Sequence, residues 1–215
     1  MATTLFSAFL PEVLPFVHDC PQIAATNAIR NAAIEFCDRT GYWQADLTPM
    51  DAVASTGSYT VVTPTSTRIV DEIGVWFNTI LLAPKSSEEL NKLYRGIDWR
   101  SLVGQPSFFM SDHSGTVRLV PAPAVDKPGA ITIRASLAPT RAATGIDTII
   151  YEKQVEVIAR GARARLLSMS GQPAFDPIQA TAQRTAFLSG CNDARIRANK
   201  ASTRASVAVE FPRFV

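Results

Sequence analysis

The sequence predicts an α+β fold: a helical bundle with an inserted, mostly antiparallel β-domain and an extended C-terminal arm. Three observations carry this expectation. Apolar residues recur at helical spacing before Thr40 and again after Gly145. Between them lie short runs rich in β-branched and aromatic residues, separated by turn sequences. In the closing stretch ASTRASVAVEFPRFV, Val207, Val209 and Phe211 alternate with small or polar residues, as in a strand.

Leu10, Val13, Leu14 and Val17 predict a short apolar helix, with Pro11 tolerated in its first turn. The first long helix is expected from about Pro21 to Asp38, with Asp19 as its cap and Thr40-Gly41 as its stop. Ala25, Ile29, Ala32 and Phe36 form its apolar face. From Tyr42 the period changes. GSYTVVT, TRIVDEIGVWF, TILLA, SFFM, TVRLV and AITIRASL read as about six strands. The turns at Asp112–Gly115 and Asp126–Gly129 make the last three of them an antiparallel meander. One helix interrupts the β-domain at SSEELNKLY, where Ser86 and Glu89 have capping-box spacing.

Asp147 is placed to cap a helix running to Ser170, with Tyr151, Val155, Ile158, Ala162, Leu166 and Met169 as its stripe and Gly171 as its C-cap. Asp176-Pro177 starts the last helix, whose apolar side is expected from Ile178, Phe187, Cys191, Ala194 and Ala198. The resulting division is residues 1–41 and 146–200 as bundle, 42–145 as inserted β-domain and 201–215 as arm. One N-terminal and two C-terminal main helices pack together because none is wide enough in its apolar face to stand alone.

Bulk composition narrows the function. The chain has 47% hydrophobic and 19% charged residues and a net charge of +2, so it is not electrostatically a nucleic-acid binder as a whole. Residues 151–215 nevertheless hold ten Lys or Arg against five Asp or Glu. Three dispersed cysteines argue against a disulfide framework or zinc site, and no apolar run has the length of a membrane span. The N-terminus lacks a basic segment and is broken by Pro11 and Pro15, so no signal peptide is expected.

Catalytic candidates are few. His113 sits in the turn DHSG, and His18, Asp19 and Cys20 are adjacent at a helix start. Triads are defined by converging geometry, and neighbours on a tight turn seldom converge, so a polar hairpin tip is the plainer reading of His113. Phosphate-cradling glycine motifs and metal-ligand spacings are not found in the sequence. No enzyme, cofactor or metal is expected. The stronger signal is basic: Arg160, Arg163, Arg184 and Arg195 on the two last helices suit acidic groups of a neighbouring copy or passing DNA.

The ordered set FCDRTGYW (Phe36–Trp43), QADLTP (Gln44–Pro49), Tyr59, Trp99, GQP (Gly104–Pro106), LVPAP (Leu119–Pro123), LAPT (Leu137–Thr140), IARGARARLL (Ile158–Leu167) and FLSGC (Phe187–Cys191) resembles the head-to-tail adaptor, or connector, proteins of tailed bacteriophages, particularly short-tailed ones. The resemblance spans roughly residues 10–200. It implies a structural protein of the virion, made in the host cytoplasm and placed at the head-tail junction. Copies would form a ring, a dodecamer, beneath the portal protein, extending the DNA channel and presenting a platform to the tail nozzle or tube. On that reading Val207, Val209, Phe211, Arg213 and Phe214 form a docking arm for portal or a neighbouring copy. The alternatives are another virion component, such as a tail-tube or head-completion protein, and more remotely a hydrolase using His113 or the His18/Cys20 pair.

Overall fold

The computed structural model describes residues 2–112 and 115–200. The fold is α+β and divides into two compact units: residues up to Trp43 together with those from Pro139 onward, and Gln44–Ala138. The first unit opens with strand β1 (Thr3–Leu5), a 3-10 turn (Phe6–Phe9), helix α1 (Leu10–Val13), a second 3-10 turn (Leu14–Phe16) and helix α2 (Gln22–Thr40). The chain continues through β2 (Gln44–Asp46), β3 (Met50–Ala52), β4 (Ser58–Thr60), β5 (Thr67–Phe77), β6 (Ile80–Leu81), β7 (Ala83–Pro84) and α3 (Ser87–Leu93). Next come β8 (Val103–Gly104), β9 (Phe108–Ser111), β10 (Thr116–Val120), β11 (Ala122–Pro123) and β12 (Lys127–Pro139). The first unit resumes with β13 (Gly145–Asp147), α4 (Thr148–Leu167) and α5 (Pro177–Asn199).

In this helical unit α4 is the central element, packed by both α2 and α5. Small residues let the three approach closely. Ala25, Ala28, Ala32 and Ala33 are buried along α2, and Ala159, Gly161 and Ala162 along α4. A side chain at Gly161 would put its Cβ 2.8 Å from the Phe187 ring and 3.0 Å from the Ala32 Cβ, so glycine is what allows this crossing. Phe9 packs edge-on against Tyr151, with ring centroids 4.9 Å apart, and ties the N-terminal turns to α4.

Helix ends follow local chemistry. Gly41 closes α2 in the left-handed conformation (φ 54°), donating its N–H to the Cys37 carbonyl at 3.0 Å. Asp147 caps α4 through the Ile149 N–H (2.8 Å), and Asp176 caps α5 through Ile178 and Gln179 (both 3.0 Å). Four expectations are corrected. Asp19 does not cap α2: it lies too far upstream, and Pro21 occupies the cap position with no side-chain bond. α4 ends at Leu167 with Ser168 as its cap, and Gly171 (φ 81°) serves the loop beyond. Met169, expected on the stripe, is therefore past the helix and 45% exposed. Ile178 is 82% exposed because it sits in the first turn of α5, off the buried face.

In the second unit β5 occupies all of TRIVDEIGVWF, and the α3 capping box between Ser86 and Glu89 is present in both directions. One sheet has the order β4-β10-β9-β7 and the other β2-β12-β5-β6, with β3 also on β12; β8 and β11 form a parallel pair. The expected three-strand meander is wrong at its third member. β9 and β10 pair antiparallel, but β12 belongs to the other sheet. Val120 is followed by Pro121 and Pro123, which have no N–H to continue a ladder, so the chain leaves the sheet there. Ala135, Ser136, Leu137 and Ala138 are all buried, the two-sided burial of a central strand. α3 covers a core of Leu90, Trp99 and Val120, with the Trp99 indole donating to Asn91 Oδ1 at 2.7 Å.

Candidate functional site

With few catalytic groups on offer, the candidate site is the charged surface of the helical unit. On α4, Arg160 and Arg163 are three residues apart and share a face, while Arg165 leaves the helix on another side. Arg160 and Arg163 converge on Glu156. Its Oε1 accepts from Arg160 Nε at 2.9 Å and Arg163 Nη1 at 3.2 Å, and its Oε2 accepts from Arg163 Nη2 at 3.2 Å. Burial works against the Glu156 charge, but the bonds from Arg160 and Arg163 hold its carboxyl below the usual range.

Arg163 reaches further than this pair. It is only 3% exposed, donates Nε to the Glu12 backbone carbonyl at 2.7 Å, bonds the same oxygen through Nη2, and lies 3.9 Å above the centroid of the Phe16 ring. It is thus turned inside its own unit, where it fastens the N-terminal turns to α4. The local sequence favours this: Pro15, three residues after Glu12, has no N–H to offer the Glu12 carbonyl, and the guanidinium bonds that oxygen. Arg163→Met keeps the stem but loses these bonds, and should lower the stability of the helical unit by about 1–2 kcal/mol, read as a reduced urea midpoint.

A second node forms around Glu35 on α2. Its carboxylate accepts from Arg39 Nε (2.7 Å), Arg165 Nη2 (2.6 Å), and Arg184 Nη1 and Nη2 (2.8 and 2.5 Å), joining α2, α4 and α5 through one side chain. The Arg184 hydrogen bonds, reinforced by Arg39 and the nearby charges, pull the Glu35 carboxyl down from 4.5 to about 2 against its burial. Beside this node runs an open groove of about 470 Å³ with Ala164, Phe175 and Ala180 among its lining residues.

The four basic residues singled out in the sequence therefore separate. Arg160 and Arg163 share Glu156, Arg184 belongs to the Glu35 node, and Arg195 is exposed on α5 with no ion pair among the described residues. The sequence reading did not single out Glu35 or Arg39 as site residues. The Glu35–Arg39 pair was visible as an i,i+4 spacing, but its union with Arg165 and Arg184 depends on the helix crossing.

His18, Asp19 and Cys20 line a small cavity of about 130 Å³ with Leu166 and Met169. Burial raises the Cys20 thiol, which is opposite to what an activated nucleophile requires. His113 lies outside the described residues, as do Val207, Val209, Phe211, Arg213 and Phe214. Among the described residues no three His, Cys, Asp or Glu side chains are grouped to hold a metal, and no helix is long and apolar enough to cross a membrane.

No curated protein matches the chain. A profile of the family described as SU10 adaptor protein matches residues 4–210. The chain belongs to that family and is a structural head-to-tail adaptor of tailed bacteriophages.

Proposed function

We propose that this member of the SU10 adaptor protein family acts as a ring, a dodecamer, beneath the portal at the head-tail junction of a short-tailed virion. The ring extends the DNA channel and presents a platform to the tail nozzle or tube. The observation that carries the reading is a family match reaching across both units rather than one of them. Function of this kind is shape, closure and sealing, with no turnover. A ring needs heterologous interfaces that close on themselves, and the helical unit supplies most of them.

Within that surface, Arg160 and Arg195 are the candidates for acidic groups on an adjacent copy or for the phosphates of passing DNA, while Arg163 and Arg184 hold the unit together. The arm, with Val207, Val209, Phe211, Arg213 and Phe214, docks on portal or on a neighbouring copy. The test is co-sedimentation with purified portal rings. The full chain is expected to sediment with them, and loss of Ser202–Val215 to abolish this. Arg160→Glu combined with Arg195→Glu should weaken docking at low salt more than at high salt. A full chain that stays in the supernatant overturns the placement.

A further inference from the structure

β5 is eleven residues long, yet on the β6 side it is paired only at Trp76 and Phe77. One further bond runs there, from the Leu82 N–H to the Val75 carbonyl (2.9 Å). Thr67 is bonded within its own loop: its N–H donates to the Pro64 carbonyl (3.1 Å) and its carbonyl accepts from Thr63 Oγ1 (3.2 Å). The Asp71 backbone is held by Ser136 Oγ on β12, but from residue 70 to 74 the β6-side edge has no strand neighbour among the described residues. An edge of this length is a row of backbone donors and acceptors ready to template another strand, and folded proteins shorten, twist, charge or cover such edges. Here the edge lies in a groove of about 560 Å³: the run Thr67–Glu72 lines it continuously, together with Val61, Thr63 and Ser111.

The groove supplies both requirements of strand addition, a main-chain edge and apolar contacts for alternate side chains, the latter from Val61, Ile69 and Val70. It is also acidic, with Asp71 and Glu72 set against Arg68. A matching occupant exists in the sequence. Val207, Val209 and Phe211 alternate over five residues, about 17 Å of extended chain, and Pro212 stops the ladder. Arg204 and Arg213 outnumber Glu210 in the same segment, so its charge complements the groove.

We propose that the groove along β5 is the acceptor for the C-terminal segment of a second copy of this chain, added as a strand beside residues 70–74. Donor and acceptor are different surfaces, so the contact is heterologous and propagates from copy to copy around a closed ring. The proposal rests on the ring described above, because the same contact without closure builds filaments.

The test uses the full chain and a fluorescein-labelled peptide of residues 202–215, followed by anisotropy. Saturable binding is expected. Adjacent N–H groups of a strand point to opposite sides, so Ala208→Pro or Val209→Pro in the peptide must remove a donated bond, and one of the two should weaken binding at least tenfold. A Val209→Cys peptide should form a disulfide with an Ile69→Cys chain under oxidised glutathione, and none with an Ile178→Cys chain. The variants in the peptide leave the fold of the chain untouched. Three results overturn the proposal: no binding at millimolar peptide, equal binding of both proline peptides, or a disulfide that forms only within one dilute chain carrying both cysteines. No portal is present in the assay. A peptide seated on β5 by a chain that does not sediment with portal therefore sinks the placement alone, and the reverse result sinks strand addition alone.

Discussion

Phe187→Ala is expected to cost the helical unit about 3–5 kcal/mol, the range for emptying a fully buried aromatic site. The ring is completely buried and fits against the backbone of α4 at Gly161, where a Cβ would come within 2.8 Å of it. The neighbouring helix faces are lined with alanine, whose short side chains reach little way into the void. The same contact predicts an unusual result at the glycine. In an ordinary helix interior Gly→Ala is stabilising by about 1 kcal/mol. Gly161→Ala should instead destabilise by about 1–3 kcal/mol, because the added methyl meets a ring that is itself enclosed. Urea denaturation monitored by helix circular dichroism reads both. The pair must also couple: Gly161→Ala in a Phe187→Leu background should cost measurably less than in the native one. A Gly161→Ala protein as stable as the parent refutes the close crossing.

The second large effect is at Glu35. Its carboxyl titrates at about 2 in the folded chain against an ordinary value of 4.5, chiefly through the Arg184 hydrogen bonds. A depressed carboxylate stabilises the fold fully above its unfolded value, and that contribution fades as pH falls from 4.5 toward 2. At face value the displacement corresponds to about 3 kcal/mol. Arg39, Arg165 and Arg184 are 49%, 36% and 38% exposed at the side chain, so solvent screening reduces it to about 2 kcal/mol. Glu35→Gln should therefore lower stability at pH 7 by about 2 kcal/mol, leaving three guanidiniums facing a neutral amide. It should also flatten the loss of stability between pH 4.5 and 2 that the native chain shows. Equal acid sensitivity in the two proteins is the contrary outcome.

These two sites differ in how far the sequence revealed them. Phe187 was legible as an apolar residue on a helix beginning at Asp176-Pro177, because capping and periodicity are local. Nothing local marked Gly161 as its partner. The Glu35 node was half visible, as an i,i+4 pair, and completed only by residues 130 and 149 positions away. Arg163 is the opposite case. Its charge suggested an outward face, yet its guanidinium bonds the Glu12 carbonyl and lies over the Phe16 ring.

The α+β class, the principal helices with their Asp147, Asp176 and Gly41 ends, the α3 capping box and the full extent of β5 follow from the sequence by itself. Each depends on side chains acting on backbone within a few residues. Sheet membership did not. β12 left the expected meander for a second sheet, and three-residue strands such as β1 and β13 are too short to show a period. Partner choice between strands, and which arginine meets which carboxylate, depend on contacts among residues far apart in the chain. Those contacts are fixed only when the layers pack.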